Sequence, residues 1–278
     1  MLARIYESFE DKIRVEVKRM VEGIEETSPA LVVDNVRKNF GPIQALKGLS
    51  FSINPGEVVG LLGDNGAGKS TFVKILSGVL PPSSGEITLN SRDLRLHSPK
   101  DARKHGIETV YQTLALCDNF SVAENLFLGR EETFGGPLKF LKSRSMRRNA
   151  VNAIQELGVN IPGLAKSVIG DMSGGQRQAV AIARAAFWQS ELLLLDEPTA
   201  ALGVKETAEV QALIKRMVSD GLPVLLVSHN MEEVWELCNK MIIVRQGVQV
   251  ATLERNNTTT DEVVSYITGA KGPAPTRN

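Results

Sequence analysis

"GDNGAGKST", residues 63 to 71, decides how this chain is read. Its first eight residues keep the spacing G-x-x-x-x-G-K-[ST], and it stands between the strand-like run "VVGLL" at 58–62 and the helix-like "STFVKILSG" at 70–78. In that setting the glycines let successive backbone N–H groups converge on one anion, and the helix start adds its dipole. The expected phosphate cradle is Gly63, Asn65, Gly66, Ala67, Gly68, Lys69, Ser70 and Thr71. Lys69 would neutralise β- and γ-phosphate oxygens, and Ser70 would offer its hydroxyl to Mg²⁺.

Outward from this loop, apolar runs alternate with helical periodicity. "LVVDNV", "GLSFSI", "EVVGLL" and "GEITL" read as strands in the first ninety residues, the last after the Pro81–Ser84 turn. "LLLLD", "PVLLVS", "MIIVR" and "QVATL" follow later, separated by helical segments at 174–187 and 205–219. Buried strands alternating with helices predict an α/β fold with a mainly parallel sheet, and the early strands an antiparallel β layer beside it. From Gln112 to Met172 the β signal fades, and an inserted α-helical subdomain is expected over about 113–172. Ser121 and Glu124 are spaced as a capping box, Gly158 as a C-terminal stop, and "GGPLK" at 135–139 as a joint.

A phosphate loop needs an acid at the end of a buried strand, and "ELLLLDEPTA" supplies two. Asp196 is placed to hold Mg²⁺ through water, and Glu197 to orient or deprotonate the water that attacks the γ-phosphate. His229 in "LLVSHN" and Gln112 in "VYQTLAL" sit where strand ends of a parallel sheet converge. Gln112 is expected to meet Mg²⁺ and the attacking water, and His229 the γ-phosphate.

Composition is that of an ordinary globular chain: 278 residues, 42% hydrophobic and 23% charged, with 32 basic and 32 acidic side chains. That balance gives no bulk attraction to nucleic acid. Cys117 and Cys238 are far apart and lack partners at metal-ligand spacing, so neither a disulfide framework nor a zinc site is expected. The longest apolar runs fall far below the roughly 20 residues that span a bilayer. Residues 1–28 carry Leu2, Ile5, Tyr6, Phe9, Ile13, Val17, Met20 and Ile24 at helical steps and are expected as an amphipathic extension. Residues 29–269 would form the main domain and 270–278 a polar tail.

A second glycine-rich helix entrance follows at 171–185, "DMSGGQRQAVAIARA". With the loop at 63–70, Gln112, "MSGGQ", "LLLLDEP" and His229 in that order, residues 30–269 resemble the ATP-binding subunit of an ABC transporter. The resemblance implies a P-loop core binding ATP and Mg²⁺, with Ser70, Gln112 and Asp196 about the metal and Glu197, His229 and Gln112 as the catalytic residues. It also implies head-to-tail pairing with a second copy, so that Ser173, Gly174, Gly175 and Gln176 close over the partner's ATP. Phe40 stands where such proteins stack an aromatic on adenine. Membrane-spanning permease subunits would dock on the helical subdomain and the 112–120 loop, at the cytoplasmic face of the membrane, and no nucleic-acid partner is implied.

Two residues depart from the family pattern. Met172 replaces the usual Leu, a volume-conserving change, and Gly203 stands where an Asp commonly ends the loop, so no cross-interface contact is assigned there. "EPTAALGVKE" is similar to monosaccharide importers of the ribose and fructose type, here with a single cassette and no C-terminal regulatory domain. A periplasmic sugar-binding protein would then choose the sugar. The alternative is a soluble ABC ATPase that transports nothing, although the neutral charge and the lack of a long heptad insertion favour neither a ribosome- nor a chromosome-bound form.

Overall fold

The computed structural model describes residues 28–135, 140–158, 167–188 and 190–274. The expected amphipathic extension at 1–28 and the joint at 135–139 lie almost wholly outside the described residues. The tail is described only to residue 274.

The chain first builds an antiparallel sheet in the order β2-β1-β4-β5, from β1 (Leu31–Phe40), β2 (Ile43–Ile53), β4 (Ser84–Leu89) and the short β5 (Arg92–Asp93). Beside it stands a six-stranded sheet in the order β10-β9-β3-β8-β7-β6. Its strands are β3 (Val58–Leu62), β6 (Ile107–Val110), β7 (Leu192–Asp196), β8 (Val224–Val227), β9 (Lys240–Arg245) and β10 (Val248–Glu254). Only β10, at the edge, runs antiparallel to its neighbour. All five residues of β3 are buried, as are the first four of β7 and all of β8. Strands covered on both faces need continuous apolar runs, which is why these segments are so legible.

Between the sheets lies a core that includes Phe51, Phe72, Leu61, Leu194 and Ile242, with Phe51 and Phe72 edge to face at 5.5 Å. Phe72 belongs to α1 (Lys69–Leu76), the helix that leaves the phosphate loop and presses its apolar face between the layers. Two elements were not foreseen. A short helix α2 (Pro99–Lys104), capped by the Ser98 hydroxyl, leads into β6, and β6 itself pairs in parallel with β7. Its four residues bury only Ile107 and Val110, a pattern too short for either strand period.

The inserted helical region is present. It contains α3 (Val122–Phe127), closed by the reciprocal Ser121–Glu124 capping box, α4 (Ser143–Glu156) and a 3₁₀ turn at Ile169–Asp171. Gly158 follows α4 with φ 68°, as its stop position required. Helix α5 (Gly174–Phe187) belongs to two cores at once. Ala181, Ile182 and Ala185 pack toward the sheet, while Val180 and Ala183 pack against Phe127, Met146 and Ile154 of the helical region. Met172 is buried in that same cluster. The remaining helices are α6 (Val204–Ser219), α7 (Met231–Leu237) and α8 (Thr260–Thr268). Among the described residues no helix is long and apolar enough to cross a membrane.

Candidate functional site

The phosphate loop is shaped by its neighbours as much as by its own glycines. Gly63 has φ 154°, and a Cβ there would lie 2.0 Å from the Val244 carbonyl oxygen, so only glycine fits against β9. The loop carbonyl of Ala67 accepts from Gly247 N–H at 3.0 Å, and Gly247 in turn accepts from Lys47 N–H at 2.7 Å. Through these bonds the turn between β9 and β10 ties the loop to β2. Asn65, Gly66 and Ser70 are exposed, Thr71 is half-buried, and Gly68 opens α1.

Lys69 folds its ammonium onto the loop, donating to the carbonyls of Gly63 at 2.7 Å and Asp64 at 3.0 Å. Burial lowers its pKa, and the nearby carboxylates of Glu197, Asp64 and Asp196 oppose that shift. Asp196 ends β7 beside it. Burial raises the Asp196 carboxyl, the adjacent Glu197 raises it further, and Lys69 pulls it down. Two neighbouring carboxylates with one ammonium between them make a place where a further cation is stabilised.

Glu197 occupies a left-handed backbone position, φ 53°, uncommon for a residue with a long side chain, and its N–H is held by Val227 O at 2.8 Å. Its carboxylate is gripped from both sides. Oε1 meets His229 Nδ1 at 2.8 Å, and Oε2 accepts from Gln112 Nε2 at 3.1 Å. Three residues expected separately from three strand ends are therefore joined through the Glu197 carboxylate at the carboxyl edge of the sheet, where the order β8-β7-β6 brings their loops together.

The second glycine-rich entrance is a complete helix start. Ser173 caps α5, with Gln176 N–H donating to its hydroxyl at 3.3 Å and Gln176 Oε1 accepting from Ser173 N–H at 3.0 Å. Gly175 is buried and Gly174 exposed. Ser173, Gly175 and Gln176 line a separate cavity of about 520 Å³ with Lys205, Glu206 and Arg216. Among the described residues they make no hydrogen bond to the loop at 63–71. Phe40 likewise stands apart at the tip of β1, 45% exposed, with Lys38 Nζ 5.3 Å from its ring centroid. Gly203 caps α6 without a side chain, and the Glu206 carboxylate reaches back to within 2.5 Å of where its Cβ would be.

A cavity of about 560 Å³ opens between β6, the loop after Gln112 and the helical region, lined in part by Tyr111, Leu128, Arg130 and Trp188. Arg184 of α5 donates to the carbonyls of Leu114 and Ala115 there, both at positive φ, and so fixes the loop that follows Gln112. One buried acid was not singled out in the sequence: Glu233, 1% exposed, on the first turn of α7. A Glu four residues after His229 carries no local signal that separates it from the exposed Glu232 beside it.

A glycine-rich loop on a buried strand, a lysine bent over it and an acid pair at the end of a second buried strand define a P-loop nucleotide-hydrolysing core. More narrowly, the chain belongs to the ABC transporter family, whose model matches residues 46–200, and it is an ATPase of that family. It is similar to the fructose import ATP-binding protein FrcA of Rhizobium meliloti, 41% identical over 88% of this chain and 96% of that one. It is also similar to the ribose import ATP-binding protein RbsA of Yersinia pestis, at 40% over 87% of this chain, where it spans 46% of the longer relative. Among solved structures, the dimeric ATP-binding cassette MJ0796, in a post-hydrolysis state bound to ADP and Pi, superposes with TM-score 0.67 at 26% identity. That alignment covers 82% of this chain and 100% of that one.

Proposed function

We propose that this chain powers a monosaccharide importer as one of two copies paired head to tail. The carrying observation is that Ser173–Gln176 forms a finished helix start, an arrangement that favours anions, lining a cavity separate from the chain's own phosphate loop. Pairing turns two half-sites into two complete ones. The dimeric form of MJ0796 supports this arrangement, and the names of FrcA and RbsA support monosaccharide import.

In this reading Gly63, Asn65, Gly66, Ala67, Gly68 and Thr71 cradle the phosphates, Phe40 stacks on adenine, and Lys69 exchanges its loop carbonyls for β- and γ-oxygens. Glu197 orients the attacking water and accepts its proton. His229 and Gln112, already bonded to both carboxylate oxygens, hold that base in place and face the γ-phosphate side. The oxygen donors of Ser70, Gln112 and Asp196 suit Mg²⁺, which keeps waters and phosphate oxygens as its other ligands and would neutralise the phosphate charge. Among the described residues no cluster of three His, Cys, Asp or Glu is arranged to hold a metal unaided, which fits a metal that arrives with its nucleotide.

Domain boundaries at 29–269, with helices inserted over about 113–172, follow from the same reading. The cavity beside Tyr111 and Trp188 is then where permease subunits seat at the cytoplasmic face of the membrane, with a periplasmic sugar-binding protein on the far side. Light scattering on Glu197→Gln tests the pairing. A dimer with ATP, and a monomer with ADP or without nucleotide, is expected; a monomer under all three conditions, with ATP binding intact, refutes it. Stimulation of ATP hydrolysis by co-reconstituted permease and sugar separates an importer from a soluble ATPase that transports nothing.

A further inference from the structure

Glu233 has no part in the chemistry above, yet it is the most deeply placed acid near it. It is 1% exposed, and its Oε1 is the one buried side-chain oxygen or nitrogen among the described residues without a hydrogen-bond partner. The hydroxyls of Thr199 and Ser228, both themselves buried, act on its carboxyl and hold it down against the effect of burial. Thr199 lies two residues after Glu197, and Ser228 immediately precedes His229. The Ser228 oxygen also accepts from Asn230 N–H at 3.0 Å, so its proton is left to donate to Glu233.

We propose that Glu233 is a positioning residue that joins the loop carrying Glu197 to the loop carrying His229 through Thr199 and Ser228. The two loops leave neighbouring parallel strands, β7 and β8, whose register ends at Asp196 and Val227, with one last backbone bond from Glu197 N–H to Val227 O at 2.8 Å. Beyond that point the 2.8 Å contact between Glu197 and His229 spans two loops, one of them in a left-handed turn, with His229 largely exposed. A buried bracket beneath that contact restricts both loops at the cost of hiding a carboxyl. Burial raises that carboxyl, the two hydroxyls lower it, Glu197 raises it further and His229 lowers it. The Cys238 thiol, itself buried, is pushed up by burial and by Glu233. An acid fixed at such a cost, in contact with no substrate, serves geometry.

The inference rests on Glu197 being the reacting carboxylate, and the experiment separates the two. In the full-length chain, Glu233→Leu removes both oxygens at similar volume, Glu233→Gln keeps an acceptor for the hydroxyls, and Thr199→Val removes one hydroxyl without changing shape. Steady-state ATP hydrolysis is measured for each, with Glu197→Gln alongside. Glu233→Leu is expected to lower kcat on the order of 10- to 100-fold through misplaced reacting groups, with KM for ATP little changed. Glu233→Gln should restore kcat to near wild type. Thr199→Val should lower kcat in the wild-type background and add nothing to Glu233→Leu, and it carries the test if Glu233→Leu does not fold. Wild-type kcat in Glu233→Leu, or in Thr199→Val where Glu233→Leu does not fold, while Glu197→Gln is inactive, overturns the positioning role alone. A Gln variant as slow as the Leu variant overturns it too. Wild-type kcat in Glu197→Gln removes the reading beneath it, and the inference falls with that reading.

Discussion

Replacing Gly175 by Ala tests whether the second glycine of the "SGGQ" entrance is set by packing. A Cβ at Gly175 would fall 2.5 Å from Glu206 Cγ and 2.6 Å from Glu206 Cβ. Carbon atoms are comfortable at about 3.5–4.0 Å, so the overlap is about 1 Å. Rotation about χ1 moves Cγ away, but Cβ is fixed to the backbone of α6, so the N-terminal ends of α5 and α6 must part. Overpacking of this kind costs about 1–3 kcal/mol, and the better helix propensity of Ala returns at most about 1 kcal/mol. A net loss near 1–2 kcal/mol is expected, read as a lower urea midpoint at constant slope. Glu206→Gly removes both obstructing atoms, so in that background Gly175→Ala should be neutral or stabilising. Equal cost in both backgrounds, or no cost in either, refutes the packing argument.

Gly63→Ala should abolish ATP binding in a fluorescent-nucleotide titration, because its Cβ would stand 2.0 Å from Val244 O at a φ of 154°. Asp196→Asn should melt at a higher temperature than wild type near neutral pH while losing hydrolysis. Burial raises that carboxyl, so the folded state binds its proton more tightly, and the destabilisation appears as pH rises past the ordinary value of 3.8. The gain should shrink toward the acid end of that window; a gain that does not change with pH refutes the assignment. Phe127→Ala should cost about 3–5 kcal/mol in urea unfolding, since the ring is 1% exposed and stacks edge to face on Phe187 and Trp188.

The chemistry was more legible than the scaffold that aims it. Lys69, Asp196 and Glu197 stand beside runs of four or five buried residues, where the strand signal is strongest. β6 delivers Gln112 yet carries Glu108 and Thr109 at its centre, and Glu108 pairs with Arg130 across the groove, so its polarity reflects a tertiary partner that no local pattern reveals. Ser121 and Glu124 had the spacing of a capping box and formed one. Glu233 stayed hidden because its burial comes from the loops of Thr199 and Ser228, neither of which lies on its own helix.

Helix α5 carries the Ser173 entrance at one end and Arg184, bonded to the loop after Gln112, near the other. Its 14 residues span about 21 Å, so it acts as a lever whose long arm ends at the serine. A tilt of about 10° at Arg184, roughly 16 Å along the axis from Ser173, sweeps that serine through nearly 3 Å, about the length of a hydrogen bond. Because one face of α5 is seated on the sheet and the other in the helical cluster, in the proposed pairing the angle between those two cores would decide whether the entrance meets a phosphate. A force applied at the groove would in this way be felt at a surface roughly 16 Å distant.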